Sequence, residues 1–89
     1  MSSRYEVVVL RPVEKEIRRL APKIRRQILE KLVGLETNPR PQDVRRLHVV
    51  ERGYRVDSGE YRILYEIDDA ERRVVVRVVK HRKDVYRNL

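Results

Sequence analysis

Residues 54 to 67 read YRVDSGEYRILYEI, two alternating stretches on either side of a turn that contains Gly59. Apolar and polar side chains exchanging at every position is the period of a strand with one face in a core and the other in water. Two such strands joined this tightly return on each other, so the pattern predicts an antiparallel hairpin. A second turn at DDAE and a last run, RRVVVRVVK, extend it to a three-stranded meander. The remaining segments then have to cover one face of that sheet.

The first half of the chain supplies the cover. YEVVVL (Tyr5 to Leu10) is apolar and β-branched, too short for a useful helix, and reads as a strand buried on both faces. Pro12 ends it. VEKEIRRL follows, with acids early, bases late and Val13, Ile17 and Leu20 on one side, which favours a short helix. Pro22 restarts the pattern, and Ile24, Ile28, Leu32 and Leu35 recur at helical spacing until TNPRP. Residues 13 to 37 therefore read as a helical hairpin, and NPRPQDVRRL after it as a loop, because Pro39 and Pro41 exclude helix. The order of elements is β-α-α-β-β-β: an α+β fold, a small antiparallel sheet with a two-helix hairpin packed on one face and the other face open. With 89 residues there is room for one core, so a single domain over residues 1 to 89 is expected. Phe and Trp are absent and five Tyr carry all the aromatic surface, with Tyr54, Tyr61 and Tyr65 assigned to the core. Without cysteine there is no disulfide framework and no thiolate nucleophile. The longest apolar run, Val7 to Leu10, is far too short to span a membrane, and a cytoplasmic protein is expected.

Charge narrows the partner. Twenty-two Lys and Arg against fourteen Asp and Glu give a net +8, a field that attracts polyanions, nucleic acid first among them. A chain with 40% charged residues also suits surface ion-pair networks, but these do not explain an excess of one sign. Alternation places Tyr61, Ile63, Tyr65, Ile67, Tyr54, Val56, Val74, Val76 and Val78 toward the helices. Arg62, Leu64, Glu66, Arg55, Asp57, Arg73, Val75, Arg77 and Val79 then face outward. If Ser58 and Gly59 form the loop, Arg55 stands directly opposite Arg62, a like-charge pair that is mildly destabilising unless an anion lies between the two. A phosphate fits that description, since arginine offers a planar fork of donors. Asp57 and Glu60, within diagonal reach, would equally make this an ordinary charge-laced solvated face. No acidic or histidine spacing suits a metal and the three glycines make no phosphate loop, so neither metal nor cofactor is expected.

NPRP after a helical hairpin, then GYRVDSGEYRILYEID, then VVKHRKDVYR resembles, block by block and in order, the RelE toxins of prokaryotic toxin–antitoxin pairs, within the RelE/ParE superfamily. The resemblance spans essentially the whole chain; GEYRILYEI and HRKDVYR are its most specific pieces. It implies the RelE-like fold and a metal-independent endoribonuclease, or mRNA interferase. Such a toxin cuts mRNA in the A site of the 30S subunit, on the ribosome, by 2′-OH attack on the scissile phosphate. It also implies a cognate, RelB-like antitoxin, acidic or amphipathic, and a toxin–antitoxin hetero-oligomer. That chemistry needs a base for the hydroxyl, cations for the phosphorane and an acid for the departing 5′-oxygen.

By position, the resemblance puts Arg62 on the scissile phosphate and Tyr86 on the substrate nucleotide, with a part in proton transfer. Arg82 matches the strand-end arginine, or Lys80 if a gap intervenes, and Arg55 matches a basic residue acting as base or clamp. Lys80, Lys83, Arg73, Arg77 and Arg87 make up the implied RNA-binding edge. One position departs: the better-known members carry a second basic residue where this chain has Asp57. His81 is a candidate base in its stead, since an unperturbed imidazole titrates near neutrality; it equally suits a polyanion-binding edge. Tyr86 likewise reads as a ring packed on the core with its hydroxyl in water. His48 has no assigned role. Two other functions stay open: a ParE-like toxin that inhibits gyrase by protein contact, and a catalytically weakened member that binds only RNA or its antitoxin.

Overall fold

A computed structural model describes residues 4–48 and 52–87. Along the chain run β1 (Glu6–Val9), α1 (Arg11–Arg18), α2 (Pro22–Thr37), β2 (Arg45–Leu47), β3 (Gly53–Ser58), β4 (Tyr61–Asp68) and β5 (Arg73–His81). Pro12 and Pro22 each sit in the first turn of their helix, where a missing N–H is no loss because the first helical amides have no partner anyway. Glu14 at the start and Lys15 and Arg18 at the end of α1 suit its dipole. α2 stops at Thr37, just ahead of Asn38, which precedes Pro39 and is extended at φ −145° as such a residue must be.

The strands lie in the order β1-β5-β4-β3-β2, antiparallel except for β1, which runs parallel to β5. The helix pair thus carries the chain over one face, from one sheet edge to the other. Two features differ from the expectation. Three residues of the segment read as loop, Arg45–Leu47, pair with Gly53–Arg55 as edge strand β2; they come after the second proline, so every ladder donor is present. β1 is an edge strand and not a doubly buried one: Glu6 is exposed and Val7, Val8 and Val9 are only half-buried.

The core lies between helices and sheet. Ile28, Val56, Ile63, Val74 and Val76 are wholly buried and Leu35 and Tyr65 nearly so, each such side chain contributing roughly 1.5–3 kcal/mol. Tyr65 takes a polar atom into this layer, and its hydroxyl donates to the Pro39 carbonyl at 2.7 Å, which fastens the NPRP loop to the core. Burial pushes that phenol well above its ordinary pKa.

The hairpin register also differs from the sequence reading. Ser58 pairs with Tyr61, so the two loop residues are Gly59 and Glu60, with Gly59 at φ +58° in the first loop position. That is where a two-residue hairpin loop with one left-handed residue places glycine. Arg62 consequently stands opposite Asp57, and Arg55 opposite Leu64; the two arginines are diagonal neighbours. Farther on, Leu64 pairs with Val78 but Tyr65 with Val76, which leaves Arg77 as a β-bulge. The extra residue swaps the faces beyond it. Val79 (3% exposed) is therefore the inward valine opposite Ile63, and Val78, expected inward, faces out and is half-buried.

The face away from the helices is not bare. Leu64 and Val85 are each 4% exposed, yet neither belongs to the helix-side cluster. Residues 82 to 87 turn back over the sheet, closed by bonds from the Asp84 and Val85 amides to the His81 carbonyl and from the Arg82 amide to the Glu60 carbonyl at 2.7 Å.

Candidate functional site

The hairpin and the C-terminal turn bring four side chains together on that face. Asp57 Oδ1 lies 3.2 Å from Arg55 Nε and 3.3 Å from Arg62 Nε, so one carboxylate oxygen bridges both guanidinium groups. The anion that two neighbouring arginines call for is thus supplied by the chain itself. Arg62 is further fixed by its own turn: Nη1 donates to the Gly59 carbonyl at 3.0 Å and to that of Tyr61 at 3.1 Å. Arg55 Nη1 donates to the Tyr86 hydroxyl at 3.0 Å. The result is an unbroken chain of polar contacts, Tyr86–Arg55–Asp57–Arg62.

Its members differ in exposure. The Arg55 and Arg62 side chains are 20% and 19% exposed against 42% for Asp57, and Tyr86 is 47% exposed. Arg62 is therefore a braced, largely covered group and not the freely exposed one that alternation suggested. The hydrogen bond to Tyr86 chiefly, and the Asp57 charge beyond it, hold the Arg55 guanidinium more firmly protonated than usual, against the pull of burial. Arg55 Nε and Asp57 Oδ1 are closed to solvent, yet neither completes a hydrogen bond, so their contact is an ion pair of poor directionality.

The other sequence-derived candidates make no polar contact with this cluster, although Lys80 stands directly opposite Arg62 on β5. Arg82 stays close, its amide on the Glu60 carbonyl and its guanidinium on the Glu60 carboxylate at the hairpin loop. His81 pairs with Tyr61, whose ring it meets edge-on at 5.6 Å, and therefore shares the helix-side face, opposite to Arg62. Its Nδ1 accepts the Lys83 amide at 3.1 Å. Lys80 is drawn to Glu16 of α1 at 2.7 Å, Arg73 to Glu6 at 3.1 Å, Arg77 to Glu66, and Arg87 to Asp84 at 3.7 Å. These exposed pairs are worth at most about 1 kcal/mol each and yield readily to a stronger anion.

Arg45 was missed by sequence reasoning. It is exposed on β2 and stands directly opposite Arg55, so the like-charge pair exists, but across β2 and β3. One alternation in three residues, just after a proline-rich loop, is too little signal to place it. A second basic cluster occupies the opposite end of the sheet. There Arg40 and Arg46 flank the Tyr54 ring at 5.1 and 5.0 Å, and Arg40 grips Asp69 with two hydrogen bonds. Those bonds first, then one from Tyr5, pull the Asp69 carboxyl down to about 2. It reads as a structural clamp on the NPRP loop. Among the described residues no group of three or more His, Cys, Asp or Glu is placed to hold a metal ion, and no helix is long and apolar enough to cross a membrane.

Residues 7–85 match the family model of the ParE toxin of type II toxin–antitoxin systems, parDE. The structure resembles the RelE–RelB complex from Pyrococcus horikoshii OT3, with a TM-score of 0.79 and 28% identity over 88% of this chain and 94% of that one. It also resembles the intact RelBE toxin–antitoxin complex of E. coli, with a TM-score of 0.75 and 28% identity over 86% and 95% of the two chains. In sequence it is 28% identical to the toxin candidate RelE1 of Methanocaldococcus jannaschii, over 96% of this chain and 98% of the relative.

Proposed function

Because this chain belongs to the RelE/ParE family of type II toxin–antitoxin toxins, we propose that it is an endoribonuclease acting on messenger RNA in the ribosomal A site without metal or cofactor. The observation that carries this reading is the contiguity of Tyr86, Arg55 and Arg62 on the sheet face turned away from the helices. Arg62, braced by two backbone carbonyls, receives the scissile phosphate and neutralises the charge that grows on it as the ribose 2′-OH attacks and gives up its proton to solvent. Arg55 shares that load. Tyr86 Oη accepts from Arg55, so its own O–H remains free to donate to the departing 5′-oxygen. The products are a 2′,3′-cyclic phosphate and a 5′-hydroxyl end. Arg82 and Lys83, at the edge of the same turn, suit neighbouring backbone phosphates, as does Arg45.

Solved relatives carry RelB antitoxins. An acidic, amphipathic partner that folds on binding is the inhibitor this reading expects here, silencing a chain of net charge +8. The test is cleavage of message on programmed ribosomes, mapped by primer extension: Arg62→Ala should lose at least about a hundredfold in rate, a typical loss for one transition-state donor. Message left intact by the unmodified protein would remove the proposal. A second reading, gyrase poisoning by protein contact, is favoured by the ParE family model and by Asp57, which offsets the cationic charge. Inhibition of gyrase supercoiling in the absence of cleavage would establish it instead.

A further inference from the structure

The Asp57 bridge is more than charge neutralisation. Two guanidinium groups converge with their Nε atoms on one oxygen at 3.2 and 3.3 Å. Each arginine has an Nη1 engaged elsewhere, Arg62 on backbone carbonyls and Arg55 on Tyr86, which leaves both Nε atoms beside the one carboxylate oxygen. That oxygen is poorly held. Arg55 Nε and Asp57 Oδ1 are shut off from water and still make no directional bond, and leaving such groups unsatisfied is destabilising. Asp57 is also the more exposed partner, 42% against 19% and 20%, so the carboxylate can swing out while the arginines stay braced. A phosphate diester, whose one negative charge is shared by two non-bridging oxygens, can offer each fork an oxygen of its own, where here a single carboxylate oxygen serves both.

We infer that Asp57 is a built-in competitor of the substrate: its carboxylate fills the phosphate seat between Arg55 and Arg62 when the seat is empty, and an incoming backbone phosphate must displace it. The inference rests on the reading of these arginines as a phosphate seat, but it concerns binding and is tested without cleavage. The seat is kept organised and closed to stray anions, and affinity for isolated RNA is held down. Stable occupancy then requires a message already presented by a larger assembly, where many contacts share the displacement.

The probe is a short single-stranded oligodeoxynucleotide, which lacks the 2′-OH and cannot be cut, titrated calorimetrically into the full chain. Asp57→Asn is expected to tighten binding about tenfold or more, the equivalent of one charge-assisted bond regained. Glu71→Gln, which makes the same change of net charge in the β4–β5 turn, should tighten it no more than about twofold. Adding Arg62→Ala to Asp57→Asn should abolish the gain. Asp57→Ser serves as a second variant should the asparagine disturb folding, as judged by thermal unfolding. An Asp57→Asn effect no larger than that of Glu71→Gln, or weaker binding, would mean that the carboxylate only orients the arginines, and would overturn the inference. A gain that survives Arg62→Ala would overturn it too. If the unmodified protein fails to cut message on ribosomes while these affinities behave as stated, the nuclease reading falls and the competitor remains.

Discussion

Val85 and Val76 are almost equally buried, at 4% and 0% exposed, but on opposite sides of the sheet, and trimming each to alanine should have opposite signatures. Either change withdraws about 1.6 kcal/mol of burial, at about 0.8 kcal/mol per methylene-sized group, and more where a cavity persists. For Val76 the loss falls on the core shared by helices and sheet. The thermal midpoint should drop by about 6–13 °C, from about 4–8 °C per kcal/mol for a chain of this size. For Val85 it falls on a short turn tied to the rest of the fold by few contacts: that side chain, the Tyr86–Arg55 bond, and the Arg82 amide and guanidinium on Glu60. Such a segment opens by itself, without the rest of the fold. Val85→Ala should therefore move the midpoint by less than about 3 °C while amide exchange at Arg82 and Val85 accelerates roughly fifteenfold, at tenfold per 1.4 kcal/mol. Calorimetry and residue-resolved hydrogen exchange read the two quantities separately. Equal midpoint losses in the two variants, or unchanged exchange at Arg82 and Val85, would refute the claim that the turn is an independent unit.

Tyr86→Phe keeps the ring and deletes the hydroxyl that receives Arg55, so ribosomal cleavage should fall by about 10²–10⁴ with the unfolding midpoint unmoved. Gly59→Ala meets no atom within 4 Å, so its cost is purely that of forcing φ +58° on an alanine: about 1–2 kcal/mol in urea unfolding, with cleavage by the folded protein little changed because the carbonyl that braces Arg62 is kept. Asp69 has its carboxyl pulled down to about 2, against about 3.9 in an unfolded chain, so between these values the unfolded state binds more protons. Its contribution is complete above about pH 4 and lost as pH falls toward 2. The stability difference between the unmodified protein and Asp69→Asn, measured by urea midpoints, should shrink over that range and be flat from pH 5 to 7.

The elements that periodicity reaches were legible: both helices, the hairpin and the last strand begin and end within a few residues of where their patterns do. What escaped depended on one residue or on contacts made by distant chain. Whether Ser58–Gly59 or Gly59–Glu60 forms the hairpin loop changes no face, since the shift is by two residues, but it decides whether Arg62 meets Arg55 or Asp57. The bulge at Arg77 is invisible in RRVVVRVVK, because valines fill both faces and the alternation cannot report a slip. Leu64 read as solvent-facing because strand period says nothing about a C-terminal turn folding over it. Arg62, Arg55 and Tyr86 could be named from the residues and their resemblance; that Asp57 stands between two of them required the register.

The pairing of β1 with β5 joins the first strand made to the last, Glu6 to Arg73, 67 residues apart. On a nascent chain β1 has no strand to pair with until β5 has been made, and Tyr86 follows β5. Closure is therefore a long-range and comparatively slow event. Until β1 docks, the unclaimed margin of β5 is open to an extended segment from another molecule.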